Sequence, residues 1–198
     1  MTPSLQLLDR WLEEVVSTPG LTALRDPGEA RRVLLEDALR GVPVVEATAG
    51  PIIDVGSGGG TPGIPLAVSL PERDVTLLEA QRRKCGFLRR FESELPNLHV
   101  VWGRAEEQPT DVFGAAVAKA LARPAVAAEL CLPLVRPGGS AVLWVGPTAD
   151  TDTVAAVAER LAGRLDAAPP GFLVLRKDGP TPPGFPRRAG MAAKRPLA

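Results

Sequence analysis

A glycine-rich stretch at residues 54–63 contains the residue types and spacing that point most directly to chemistry. It reads Asp-Val-Gly-Ser-Gly-Gly-Gly-Thr-Pro-Gly, and it joins a predicted strand at 52–55 to a predicted helix at 62–70. Glycine lets the backbone turn sharply and approach a ligand without an intervening Cβ, and nucleotide-binding turns occur between a strand and a helix. The dinucleotide fingerprint needs a third glycine where Thr61 stands. The pattern therefore argues against a nicotinamide cofactor.

Three further features follow in the order expected for enzymes that use S-adenosylmethionine, whose first motif is Asp-x-Gly-x-Gly-x-Gly. Glu79 closes a predicted strand about 20 residues after the turn, where a carboxylate can accept hydrogen bonds from ribose hydroxyls. A Gly-Arg-Ala-Glu segment at 103–106 would lie beside the adenine, and Arg-Pro-Gly-Gly at 136–139 precedes a further strand. The turn and Glu79 also have simpler interpretations, a tight connection for the turn and a helix-capping acid for Glu79.

Several segments together resemble the small-subunit ribosomal RNA methyltransferase G family, also called glucose-inhibited division protein B. They are the turn with its continuation to residue 67, Arg-Arg-Lys-x-x-Phe-Leu at 82–88, Gly-Arg-Ala-Glu at 103–106, Arg-Lys at 176–177, Phe-Pro-Arg-Arg-Ala-Gly at 185–190 and Lys-Arg-Pro-Leu at 194–197. The resemblance extends from about residue 50 to the end. It implies an α/β, Rossmann-like methyltransferase fold with a mostly parallel seven-stranded sheet. It also implies S-adenosylmethionine-dependent methylation of a guanine N7 in 16S ribosomal RNA, in the loop near the decoding site.

The resemblance also assigns the site residues. The cofactor contacts that it implies lie in the turn and after the next three strands: Gly56, Ser57, Gly58, Gly60, Thr61, Glu79, Ala105, Glu106 and Lys119. Lys119 stands where the family has arginine, and we expect it to orient the base or a nearby phosphate as the catalytic residue. Val145 replaces a family lysine. These departures leave open a paralogue that methylates another RNA or a small molecule, and a non-catalytic RNA-binding protein that retains the cofactor pocket.

Attack by guanine N7 fits the absence of a convincing general base in the sequence. The N7 atom carries a free lone pair, and in-line positioning alone can supply roughly 7–11 kcal/mol. The chain has no tyrosine and no Asn/Asp-Pro-Pro-aromatic motif after the fourth strand, which argues against methylation of exocyclic amines. A thiol nucleophile is not expected, because Cys131 lies among leucines and Cys85 lies in a predicted helix.

Two basic segments are candidates for binding RNA. The chain has 23 basic and 23 acidic residues, yet residues 171–198 contain six basic residues and only one acidic residue. The predicted RNA contacts lie in a helix at 82–94 and in this tail: Arg82, Arg83, Lys84, Arg187, Arg188, Lys194 and Arg195. Phosphate contacts of this kind give affinity without sequence specificity. Both segments can equally be solvated surface, and Trp144 is either a base-stacking residue or part of the core.

Alternating strands and helices from residue 51 must position these groups. We predict one domain over 1–198, with a helical extension at 1–49, a Rossmann-like core at 50–178 and a basic tail at 179–198. The extension contains two predicted helices. The first has Thr2 and Ser4 as cap candidates and an apolar core face at helical spacing, formed by Leu5, Leu8, Leu12, Val15 and Val16. The second runs from about 27 to 39 with Asp26 as cap. The remaining predicted elements are strands at 75–78, 99–102, 115–118, 141–145 and 172–175, and helices at 124–135 and 153–165.

Composition sets the remaining expectations. Two cysteines and one histidine cannot complete a four-ligand zinc site, so we expect no metal. No apolar run approaches the roughly 18–20 residues that span a bilayer, and residues 1–9 do not resemble a signal peptide. We therefore expect a cytoplasmic monomer that acts on 16S ribosomal RNA or on the small ribosomal subunit, without a membrane.

Overall fold

A seven-stranded sheet forms the centre of the protein, as seen in a computed structural model that describes residues 3–198. Its strand order is β3-β2-β1-β4-β5-β7-β6. The first five strands in this order are parallel, and β7 pairs antiparallel with both β5 and β6. The strands are β1 (Ile52–Val55), β2 (Val75–Glu79), β3 (Leu98–Trp102), β4 (Phe113–Lys119), β5 (Val135–Trp144), β6 (Gly163–Asp166) and β7 (Phe172–Lys177). The predicted α/β class with a mostly parallel seven-stranded sheet is confirmed.

Nine α-helical segments occur within residues 3–198. They are α1 (Pro3–Ser17), α2 (Pro27–Ala30), α3 (Asp37–Leu39), α4 (Val42–Glu46), α5 (Gly63–Ser69), α6 (Arg82–Leu88), α7 (Pro124–Cys131), α8 (Thr151–Arg160) and α9 (Met191–Lys194). A π-helical segment, Arg31–Glu36, joins α2 to α3, so the predicted helix from 27 to 39 is confirmed. The carboxylate of Asp26 caps it by accepting a hydrogen bond from the Glu29 amide at 2.7 Å. No helix in this part of the chain is long and apolar enough to cross a membrane.

Two apolar clusters lie on the two faces of the sheet. All of β1 and the run from Ala115 to Ala118 in β4 are buried, as expected for parallel strands covered on both faces. One cluster contains side chains of α1, α5 and α6, and the other contains those of α7 and α8. The helices of residues 1–49 therefore pack against the same sheet face as α5. The division of the chain at residues 49 and 178 stays a prediction.

The first helix matches its predicted core only in part. Leu8, Leu12 and Val15 are buried, whereas Leu5 is 48% exposed. Trp11, which the apolar pattern did not single out, is fully buried. Of the two cap candidates, Ser4 already lies within α1, and Thr2 lies outside the described residues.

Several predicted boundaries are wrong for local reasons. The basic helix predicted to reach residue 94 ends as α6 at Leu88 and continues as a 3-10 turn, Arg89–Phe91. The helix predicted to reach 135 ends at Cys131, before the 3-10 turn Leu132–Leu134, whose proline disfavours a regular helix. The helix predicted to reach 165 ends with α8 at Arg160, because Ala162 takes a positive φ of 57° and the chain turns back into β6. The predicted turn at 136–139 lies within β5, at an irregularity in its register with β4.

Candidate active site

The glycine turn lies where the strand order reverses. Because β1 is bordered by β2 on one side and by β4 on the other, the carboxyl ends of these strands form the crevice in which open α/β sheets bind ligands. The amides of Gly56 and Ser57 donate to the Leu78 carbonyl at 2.8 and 3.1 Å, which fixes the turn against β2. Gly58 has a φ of +57°, and a Cβ built there would meet no atom closer than 3.8 Å. The turn therefore presents bare main chain toward open space.

Asp54 fastens the start of this turn to the helix that follows it. Its Oδ2 accepts a hydrogen bond from the Gly63 amide at 3.1 Å, whereas its Oδ1 is buried without a hydrogen-bond partner. The side chain is 1% exposed. Burial raises the pKa of Asp54 to about 7, although the hydrogen bond from the Gly63 amide opposes that shift. Asp54 thus supports the turn from within the core.

Glu79, at the end of β2, joins the turn to the next element. Its Oε2 accepts from the Gly58 amide at 2.9 Å and its Oε1 accepts from the Gln81 amide at 2.7 Å. The second bond orders the residue just before α6, but the N-cap of this helix is Gln81 and no side chain caps it, so Glu79 is not a capping acid. Each carboxylate oxygen can accept more than one hydrogen bond, so Glu79 retains capacity for ribose hydroxyls. The capping interpretation is therefore wrong, and the ligand interpretation stays a prediction.

A cavity of about 210 Å³ lies beside the turn, between the ends of β1 and β2 and the loop after β3. Gly56, Ala105 and Glu106, all predicted cofactor contacts, line it. The Oε1 of Glu106 accepts a hydrogen bond from the Gly190 amide at 2.8 Å. One carboxylate oxygen of Glu106 is thus already hydrogen-bonded to the C-terminal tail. The sequence did not indicate this contact.

The N-terminal helices hold the other side of the turn. Trp11 Nε1 donates to the Gly59 carbonyl at 2.8 Å, and Thr61 Oγ1 donates to the Leu34 carbonyl at 2.7 Å. The hydroxyl of Thr61, another predicted cofactor contact, is therefore directed to the π-helical segment. The hydroxyl proton of Thr61 is thus used, so a ligand contact would involve its main chain or a hydrogen bond that Oγ1 accepts.

Lys119 ends β4 at the same edge of the sheet, and its side chain is 12% exposed. Its Nζ forms an ion pair with Asp37, whose carboxylate also accepts from Arg40 Nη1 at 3.0 Å. Lys119 therefore brings the predicted positive charge to this edge of the sheet, where it is paired with Asp37. Trp144, in register with Lys119, is 9% exposed and donates from Nε1 to the Asp37 carbonyl at 2.9 Å. Of its two interpretations, the structure supports a core position and no base-stacking surface.

The predicted RNA contacts differ in their surroundings. In α6, Arg82 places its guanidinium 5.6 Å from the centre of the Trp102 ring, Arg83 donates to the Pro19 carbonyl at 2.8 Å, and Lys84 is half-buried. In the tail, Arg188, Lys194 and Arg195 are exposed.

Arg187 does not match its predicted role. It forms two hydrogen bonds of 2.6 Å with the carboxylate of Glu129 on α7, a side chain that is 4% exposed. The guanidinium turns inward because this buried carboxylate is its partner. Arg187 therefore stabilises the fold and does not present its charge to an RNA phosphate.

One feature of the site, the exposed Trp102, lacked a recognisable signal in the sequence. Trp102 is 57% exposed at the end of β3, although aromatic residues in a strand usually indicate core. Both cysteines are buried, and burial raises the pKa of each thiol. Neither cysteine therefore offers an accessible thiolate, which agrees with the sequence-based expectation.

The family model for rRNA small subunit methyltransferase G matches residues 1–163. The chain belongs to this family. The match includes the N-terminal helices, although the sequence resemblance was recognised only from about residue 50. Membership confirms the predicted family, the enzyme class of ribosomal RNA methyltransferase and S-adenosylmethionine as cofactor.

Curated relatives of the family match over most of their length. The protein of Symbiobacterium thermophilum called ribosomal RNA small subunit methyltransferase G is 36% identical, covering 98% of this chain and 87% of that protein. Its namesake in Moorella thermoacetica is 34% identical, covering 89% and 82%.

Solved structures with lower identity share the fold. The Thermus thermophilus 16S rRNA N2 G1207 methyltransferase, solved with AdoMet and guanosine, is 19% identical with a TM-score of 0.54, covering 84% of this chain and 42% of that one. A TehB-like SAM-dependent methyltransferase of Corynebacterium glutamicum is 18% identical with a TM-score of 0.55, covering 88% and 98%.

Proposed function

We propose that this protein methylates N7 of a guanine in 16S ribosomal RNA. The observation that carries the proposal is the open main chain at Gly58, joined to Glu79 at the point where the strand order reverses. Membership of the ribosomal RNA methyltransferase family names the substrate class. N7 is the preferred acceptor because it needs no proton removed, and both cysteines are buried with raised thiol pKa values.

The predicted cofactor residues have distinct tasks in this proposal. The main chain of Gly56, Gly58 and Gly60 would receive the amino-acid part of S-adenosylmethionine, Glu79 the ribose, and residues 105–106 the adenine. The bound cofactor supplies a methyl group activated by a sulfonium. The protein's contribution to the rate is then positioning, which agrees with a rigid turn hydrogen-bonded on both sides.

Lys119 is the residue that we assign to the guanine or to a phosphate beside it. Its position at the end of β4 brings it to the same sheet edge as the turn. Asp37 holds the ammonium group in place, and Arg40 shares that carboxylate. Because Lys119 has no bidentate fork, it acts here as a point charge.

The RNA partner is the small-subunit RNA, free or assembled, and we propose that a cytoplasmic monomer acts on it. Basic residues at the start of α6 and in the tail, all exposed except the half-buried Lys84, would contact phosphates: Arg82, Arg83, Lys84, Arg188, Lys194 and Arg195. These contacts give affinity, while the crevice selects the base.

The deciding experiment supplies methyl-labelled S-adenosylmethionine with purified small subunits, naked 16S RNA and a panel of metabolites, followed by mapping of the labelled atom. Label at N7 of one guanine supports the proposal. Label in metabolites alone indicates a paralogue with another substrate, and no label despite calorimetric binding of the cofactor indicates a non-catalytic RNA-binding protein.

A further inference from the structure

Residues 185–198 of the basic tail lie over the cavity beside the glycine turn. Gly190, Ala192 and Ala193 line that cavity together with Ala105 and Glu106. Ala192 is 3% exposed, so this part of the tail is docked against the protein. The tail is therefore a wall of the cavity as well as a basic extension.

Three contacts with the rest of the protein hold the tail at this place, and a fourth lies within the tail. Arg187 forms the two-pronged ion pair with the buried Glu129, and its Nη2 also donates to the Arg195 carbonyl at 2.8 Å. Arg160 on α8 donates to the Leu197 carbonyl at 2.8 Å. The amide of Gly190 donates to Glu106 Oε1 at 2.8 Å. Arg187 thus links α7 to both ends of the short helix α9.

The chemistry of the cavity suits one ring of a ligand. Sites for whole small molecules usually measure about 300–1,000 Å³, whereas this cavity holds about 210 Å³. Its walls include the apolar side chains of Leu78, Leu121 and Val126, with the Glu106 carboxylate at one side. A planar, apolar-faced ring with an amino group at its edge, such as adenine, meets these requirements.

We infer that the tail forms the outer wall of the adenine subsite, and that Arg187 and Glu129 are positioning residues that keep it there. This inference rests on the proposed function, because it takes S-adenosylmethionine as the ligand of the cavity. It assigns Arg187 to cofactor affinity and leaves Arg188, its exposed neighbour, to RNA. The ion pair acts on the ligand only through the tail.

The test compares the dissociation constant of S-adenosylhomocysteine, measured by calorimetry, among the full-length protein and three variants. Arg187→Gln releases the tail, and Ala193→Phe fills the cavity from an exposed position of α9. Each should raise the Kd by at least about tenfold, equivalent to about 1.4 kcal/mol. The matched variant Arg188→Gln should leave this Kd unchanged while raising the KM for RNA.

Three outcomes separate the inference from the proposed function. If the unmodified protein binds no S-adenosylhomocysteine, the proposed function fails and the inference with it. If it binds, and both Arg187→Gln and Ala193→Phe retain its Kd, the inference alone is overturned. A raised KM for RNA with an unchanged Kd in Arg187→Gln would also overturn it. Because Ala193→Phe leaves the ion pair intact, it remains informative if Arg187→Gln does not fold.

Discussion

At the scale of single residues, Asp54 couples the glycine turn to pH. Its pKa is about 7 in the folded protein, against about 3.9 in an unfolded chain. The folded state therefore holds the proton more tightly, and this stabilisation is complete below about pH 4 and lost as the pH rises through about 7. Between pH 5 and pH 8 we expect Asp54 to lower the free energy of unfolding by about 2–3 kcal/mol.

Urea unfolding at both pH values measures this effect. Asp54→Asn should remove that part of the pH dependence, whereas Glu72→Gln, which alters an exposed carboxylate, should keep the dependence of the unmodified protein. Equal pH dependence in Asp54→Asn and the unmodified protein would contradict the assignment.

The ion pair of Lys119 with Asp37 leads to a second prediction at this scale. Lys119→Ala should lower kcat by about 10²-fold, because a small displacement of a reacting base is that costly. Lys119→Arg should recover much of the rate by restoring the cation. Asp37→Asn should fall between them, because the ammonium group remains but loses its anchor. Single-turnover methylation of small subunits gives the rates, and a near-normal rate in Lys119→Ala removes the residue from the site.

At the scale of elements, the N-terminal helices act as a support for the glycine turn. Trp11→Phe removes the hydrogen bond to the Gly59 carbonyl and keeps an aromatic ring in the core. We expect a loss of about 1 kcal/mol of stability and a severalfold higher Kd for S-adenosylhomocysteine, because the turn is then less firmly held. Ser17→Ala, at the exposed end of α1, is the matched control. A loss of stability with an unchanged Kd would mean that Trp11 serves packing alone.

The elements that the sequence predicted are those whose signal is local. Buried parallel strands appear as continuous apolar runs, so β1, β2 and β4 were recognisable. The edge strand β6 was missed because its half-buried Leu165 continues the apolar spacing of the preceding helix. Helix α4 was not predicted; Pro43 lies in its first turn, where proline is well tolerated.

The residues of the candidate site also differ in whether a local sequence pattern predicts them. The turn and Glu79 are close in sequence and were predicted together. The pairs that hold the site in place are far apart in sequence: Asp37 and Lys119 are separated by 82 positions, and Glu106 and Gly190 by 84. Such partners have no local pattern, since only the tertiary fold brings them together.

At the scale of the whole molecule, the basic C-terminal region is less available to RNA than its composition suggests. Lys177 is buried, donates to the Leu132 carbonyl at 3.1 Å and has a pKa lowered chiefly by burial. Arg187 is paired with Glu129, and the half-buried Arg176 donates to Ser140 Oγ at 3.4 Å. Half of the six basic residues in 171–198 therefore serve the fold. The start of α6 gains importance as an RNA surface.

Trp102 would give that surface an exposed aromatic ring. Its indole donates to the Ala80 carbonyl at 3.0 Å and lies under the guanidinium of Arg82. Stacking of one RNA base on such a ring is worth about 1–3 kcal/mol. Trp102→Ala should therefore weaken binding of a 16S RNA fragment about tenfold at every salt concentration. Arg82→Gln should instead lower the dependence of affinity on salt by about one counterion.

Filter binding over a series of salt concentrations separates these two effects. Val112→Ala is the matched control. Val112 is 45% exposed, but it precedes β4 and so lies at the amino end of the parallel strands, whereas Trp102 lies at their carboxyl end. The RNA affinity of this variant should equal that of the unmodified protein. If Trp102→Ala binds as tightly as Val112→Ala, RNA does not stack at the end of β3. The path of the RNA would then have to lead from the crevice along the exposed tail residues Arg188, Lys194 and Arg195.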